Sequence, residues 1–223
     1  MALTILGVVL GAIISIVITI WIENLRKPRL DIQLQAHSDG NYEDEERPAK
    51  KVRFLHLKLV NKALPGFAKW MTRQTAVECH GVISFHHLDG QNVFGRNMPI
   101  RWTGSPEPVP ISVKVGNEHL MIFDPSRLTP VSRVDVPAGE AEAFDVAARF
   151  DNEEECYGWC NENYFSNPLW RNPDWKLAKD RYLIKVTITS AGQKVAKVFR
   201  LINDVAQQDF RLEPALETDR IRD

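Results

Sequence analysis

The distribution of apolar residues divides the chain at its first proline. Residues 2–22 read ALTILGVVLGAIISIVITIWI, twenty-one positions with no charged side chain. At the helical rise such a run spans roughly 31 Å, the thickness of a bilayer's hydrocarbon core. A core helix in a soluble protein seldom continues so far without a charge. A cleaved signal peptide would need a basic start and a small-x-small end. No Lys or Arg precedes this run, and it closes on Ile20, Trp21, Ile22 and Glu23. The pattern predicts a transmembrane anchor over residues 1–25. Arg26, Lys27 and Arg29 follow it directly, and the positive-inside rule assigns that side to the cytoplasm, with Trp21 at headgroup depth. The expectation is a single-pass protein of the cell membrane with a cytoplasmic domain. Gly7, Gly11 and Ser15 recur every four residues, a stripe along which a second copy of the helix could pack. Ordinary glycine use in membrane helices gives the same pattern.

After Pro28 the apolar period changes from helical to two. Leu30, Ile32 and Leu34 alternate with polar residues, as do Leu55, Leu57 and Leu59, then Val77, Cys79, Gly81, Ile83 and Phe85. Each set predicts a half-buried strand. Residues 38–51, SDGNYEDEERPAKK, have no apolar period and read as a solvated connection, and 61–73, with Pro65 and Gly66, as a loop. Four prolines in 96–110 exclude a central strand there except around 100–102. Short strands are expected at 111–115, 120–123, 131–136 and 144–150. A hairpin follows, with Tyr182, Ile184, Val186 and Ile188 rising to Gly192 and Val195, Phe199 and Leu201 returning. Seven to nine short strands without a second long helix predict a mainly β, antiparallel sandwich over residues 26–212, with a flexible charged tail at 213–223. Leu177 followed by Tyr182 at the start of a strand looks like a tyrosine corner, which points to an immunoglobulin- or fibronectin-like arrangement.

Composition narrows the function classes. The chain carries 28 basic and 29 acidic residues, without the basic excess that nucleic-acid binding requires. Its three cysteines, Cys79, Cys156 and Cys160, are too few and too uneven for a disulfide framework. Phosphate-binding glycine loops, HExxH and GxSxG are missing, which removes the readable enzyme classes. Cys156-x-x-x-Cys160 with Cys79 and His80 could supply four zinc ligands for a metal-assisted hydrolase. Buried free cysteine is the ordinary alternative, so no cofactor is expected. His86 and His87, adjacent on a strand, point to opposite faces and are poor co-ligands.

The words Cys156-Tyr157-Gly158-Trp159, Asn163-Tyr164-Phe165 and Trp170-Arg171-Asn172-Pro173-Asp174-Trp175-Lys176-Leu177, followed by Arg181-Tyr182-Leu183 and the hairpin, carry a resemblance. Residues 151–212 resemble uncharacterised microbial single-pass membrane proteins with a soluble immunoglobulin-like β-sandwich. The resemblance implies the architecture and brings no activity.

The most distinctive chemistry is the aromatic connection containing Tyr157, Trp159, Tyr164, Phe165, Trp170, Arg171 and Trp175. Aromatic and Arg side chains dominate binding hot spots; alternatively, so long an ordered connection uses its rings as a lid over the sandwich. The sequence thus leads to the expectation of a membrane-tethered, non-enzymatic interaction module. Its partners would be the lipid bilayer and a protein, with a homo-oligomer formed through the helix. An extracytoplasmic ligand-binding or envelope protein of inverted topology is the alternative.

Overall fold

The computed structural model describes residues 2–44, 47–68, 70–108, 111–116, 118–122, 124–166 and 170–221. The apolar run and the four residues after it form one helix, α1 (Ala2–Arg26), which is long and apolar enough to cross a membrane. Its apolar side chains from Leu6 to Trp21 are exposed, and Gly7, Gly11 and Ser15 share one face, as i, i+4 spacing requires.

In chain order the strands of the first half are β1 (Leu30–Leu34), β2 (Ser38–Asp44), β3 (Arg47–Asn61), β4 (Ala76–His86), β5 (Met98–Pro99), β6 (Arg101–Trp102), β7 (Ile111–Val115) and β8 (Glu118–Ile122). Those of the second half are β9 (Val134–Val136), β10 (Ala141–Phe150), β11 (Cys156–Gly158), β12 (Lys176–Leu177), β13 (Arg181–Ser190), β14 (Gln193–Ile202) and β15 (Arg211–Pro214). One sheet runs β1-β3-β10-β11-β12, with β2 also on β3 and β6 also on β10; the other runs β15-β14-β13-β4-β5, with β9 on β4. β7 and β8 form a separate ribbon. The two sheets are antiparallel and sandwich-like. Leu55, Leu57, Leu59, Phe144 and Val146 of the first meet Ile83, Phe85, Ile184, Val186 and Phe199 of the second in one core. The predicted hairpin is β13–β14, and the Tyr182 hydroxyl donates to Ala178 O at 3.2 Å, closing the corner.

Two segments depart from the sequence expectation. Within residues 38–51, expected as a solvated connection, 38–44 and 47–51 pair as β2 and the start of β3, with Ser38 opposite Phe54 and Asn41 opposite Lys51. A strand held by its backbone ladder with polar side chains has no alternation to reveal it. The tail expected to be free from residue 213 begins docked: β15 pairs with β14, and Arg200 Nε donates to Asp219 Oδ2 at 2.7 Å. Of its charges, Glu213 pairs with Arg211 and Asp219 with Arg200.

Candidate functional site

The outer face of the first sheet carries the site. On β3 the odd residues Leu55, Leu57 and Leu59 face the core, so Phe54 and His56 face outward. On β10, Phe144 and Val146 face inward and Asp145 outward; on β6, Trp102 faces inward and Arg101 outward. Arg101 lies directly opposite Asp145, Asp145 directly opposite His56, and Ser38 is diagonal to His56 across the β2–β3 pair. Four adjacent strands thereby line up four polar side chains.

The contacts between them are close. Arg101 Nη1 donates to Asp145 Oδ2 at 2.7 Å and Nη2 to Ser105 O at 2.8 Å. Asp145 Oδ1 lies 2.9 Å from His56 Nδ1, and His56 Nε2 lies 2.7 Å from Ser38 Oγ. A carboxylate only accepts, so Nδ1 carries a proton and donates to Asp145; in the neutral ring Nε2 then accepts from the Ser38 hydroxyl. Asp145 and Arg101 are buried, whereas Ser38 is exposed. The array runs from an interior ion pair to a surface hydroxyl.

Beside this ladder the outer face is apolar, and the aromatic connection covers it. Val52, Ala148, Phe150, Tyr157, Trp159 and Tyr164 form a second core, with Phe54 and Trp170 packed against it. Trp159 stands at its centre, edge-on to Phe54 at 4.9 Å, Tyr164 at 5.5 Å and Trp170 at 5.8 Å between ring centroids. Arg171 donates to Glu153 Oε1 at 2.9 Å and stacks 4.0 Å from the Phe150 ring centroid. Trp175 belongs to the main core, and its indole N–H donates to Glu162 at 2.7 Å.

Of the seven residues expected to present a binding face, Tyr157, Trp159, Tyr164, Arg171 and Trp175 are therefore buried, Trp170 is partly buried and only Phe165, 60% exposed, stands on the surface. The physical reason is the outward apolar row Val52, Ala148 and Phe150, which needs a cover; a bulge between Asp145 and Ala147 turns Ala148 and Phe150 to the face opposite Phe144 and Val146. Trp159 and Tyr164 still contribute: they form one wall of a groove of about 320 Å³, also lined by Ser38, Asp39, Phe54, His56, Arg101, Thr103, Glu107 and Asp145. Arg53 binds both oxygens of Asp39, at 2.7 and 2.8 Å, and holds its carboxyl below the usual carboxylate range. The groove thus has an aromatic wall, a polar floor and a fixed acidic rim.

The cysteines occupy other places. Cys79 is buried on β4, and Cys156 and Cys160 are buried in the main core. Burial pushes the Cys160 thiol up to about 12 and raises Cys156 as well. Among the described residues no group of three or more His, Cys, Asp or Glu is arranged to hold a metal ion. His86 is buried with Ser84 and Gly90 O as partners.

Sequence reasoning missed Ser38, His56, Arg101 and Asp145. The available signal was an Asp and a His at outward positions of strands whose outward neighbours are apolar. The pairing itself spans separations that no local pattern displays. The chain matches no protein-family model, no curated protein and no solved structure.

Proposed function

We propose that this chain is a membrane-tethered, non-enzymatic interaction module, an immunoglobulin-like sandwich on a spanning helix, with the groove beside Trp159 and Tyr164 as its recognition site. The carrying observation is the convergence of an exposed hydroxyl, a histidine, a buried ion pair and an aromatic wall on one groove of about 320 Å³. That volume suits one or two side chains of a protein partner. Tethering raises the effective concentration of neighbouring membrane proteins, so a small site suffices. Pairing of α1 along Gly7, Gly11 and Ser15 would add a second copy and avidity.

The test places a photo-crosslinking residue at Thr103 on the groove rim, with Lys194 on the other sheet as control, in native membranes. A discrete adduct at position 103 that is lost in His56→Gln, with an unchanged melting temperature, is the expected result. Equal adducts at both positions would remove the groove from consideration.

A second reading rests on the Ser38–His56–Asp145 distances, which are those of a nucleophile, its base and the base's orienting carboxylate. Ser38 Oγ would attack an acyl carbon while His56 Nε2 takes its proton. That proton would pass to the leaving alcohol or amine, and water would then release the acid in the same two steps. Covalent labelling by a fluorophosphonate, abolished in Ser38→Ala, selects this reading; an unlabelled, folded chain rejects it.

A further inference from the structure

The junction between α1 and β1 is a fixed joint. Only residues 27–29 separate the two elements, and both ends of the 62–74 loop are bonded to them. Lys62 N donates to Arg29 O at 2.9 Å, and Gln74 N donates to Arg26 O at 2.7 Å. Arg73 Nη1 donates to Lys27 O at 2.6 Å. Buried Asn61 accepts from Arg29 N and donates to Gln74 O and Val136 O, tying the joint into the sandwich. The loop is thereby held at the helix's exit.

From that loop Phe67 and Trp70 project, 68% and 76% exposed, on either side of buried Ala68. Large exposed aromatics are unfavourable in water, while the bilayer interface is where Trp and Phe partition best. Against the same joint lies a crevice of about 220 Å³ lined by Asn24, Leu25, Lys27, Pro28, Arg29 and Arg73. Arg73 is only 7% exposed, and its Nε has no hydrogen-bond partner. Among the described residues no carboxylate lies within ion-pair distance of Lys27, Arg29 or Arg73, and Glu23 pairs with Arg26 at 3.6 Å. Burial and the nearby Arg29 both act against the charge of Arg73 and lower its pKa, yet a guanidinium remains protonated. The crevice therefore holds uncompensated positive charge.

We propose that the crevice formed by Lys27, Arg29 and Arg73 binds the phosphate of an anionic phospholipid headgroup, while Phe67 and Trp70 insert into the interface beside it. The proposal rests on the reading of α1 as a membrane span, which brings the last helical turn to headgroup depth. Arginine supplies a planar fork suited to phosphate, and the exposed rings on the loop that carries Arg73 favour a lipid over a soluble phosphate as occupant. A headgroup of net negative charge fits better than phosphatidylcholine, whose choline brings a further cation.

The experiment uses the full chain in nanodiscs of phosphatidylcholine alone and of phosphatidylcholine with phosphatidylglycerol. A melting temperature about 2–4 °C higher with the anionic lipid is expected, and the difference is expected to vanish in Arg29→Gln and Arg73→Gln. Arg29 is exposed, so its variant keeps the test valid if Arg73→Gln fails to fold. Quenching of tryptophan emission by bromine-labelled lipid chains should weaken in Trp70→Phe. Equal midpoints in both lipids, or a difference that survives Arg29→Gln, would overturn the headgroup site while leaving the span intact. Undiminished quenching in Trp70→Phe would overturn the aromatic insertion. A chain that enters neither disc would overturn the span and the site together. An equal stabilisation by inorganic phosphate in detergent would identify a small-anion site and overturn the lipid.

Discussion

Asp31 shows how much a single residue joins in this fold. On β1, its carboxylate lies 2.9 Å from Lys62 Nζ at the head of the 62–74 loop and 3.3 Å from Lys197 Nζ on β14 of the other sheet. The Lys62 contact, assisted by Gln33 and Lys197, lowers its pKa from 3.8 to about 2. A depressed carboxyl contributes stability that is complete above its unfolded value and lost as pH falls through its folded one. Asp31→Asn is therefore expected to destabilise by about 1 kcal/mol at neutral pH. The gap between wild type and variant should close between about pH 4 and 2, as followed by melting the full chain in detergent across that range. A gap that persists at pH 2 would dissociate the effect from the charge. Gly81 illustrates a different constraint: a Cβ there would meet Thr187 O at 2.6 Å and Ile188 Cγ1 at 2.8 Å, so the close β4–β13 approach requires glycine at this position.

At the scale of elements, the aromatic connection and the strands under it form one unit. Trp159 is 1% exposed and fills the second core, while Phe165 projects from the 3-10 turn Asn161–Phe165. Trp159→Ala should cost about 3–5 kcal/mol, because a large cavity opens between sheet and lid. Phe165→Ser should stay within about 0.5 kcal/mol. Chemical denaturation of both variants checks this, and similar losses in the two would mean that the lid folds as one body with its surface ring. The polar ladder is an element-scale feature as well. Arg101→Leu should cost about 3–5 kcal/mol, since it leaves the Asp145 carboxylate buried without its cation. The segment 38–51 belongs to this scale too. Its polar sequence hid a strand that places Ser38 against His56, and so the open end of the candidate site went unread.

For the whole molecule, the short fixed joint after α1 decides how the sandwich is presented. Residues 27–29 are bonded to the 62–74 loop and to Asn61, so backbone and side-chain hydrogen bonds tie the helix exit to the sandwich. If α1 spans the bilayer with the basic flank inside, a C-terminal alkaline phosphatase fusion should be inactive and a C-terminal fluorescent protein should be bright. The reverse pair of results would invert the topology and turn the groove to the extracytoplasmic side.

The helix, the β class, the hairpin and the tyrosine corner were all legible in the sequence, because each depends on a period or spacing within about twenty neighbouring residues. Sheet partners and the docking of the tail were not legible, and the inward turn of Trp159 and Trp175 was legible only as the lid alternative, because all of them depend on which apolar face is left uncovered once the sheets have paired. The same holds for both candidate sites. Ser38, His56, Arg101 and Asp145 come from four strands, and Arg73 meets Lys27 across 46 residues of chain. Local alternation sets which way each side chain points, but only the pairing of distant strands sets what it meets.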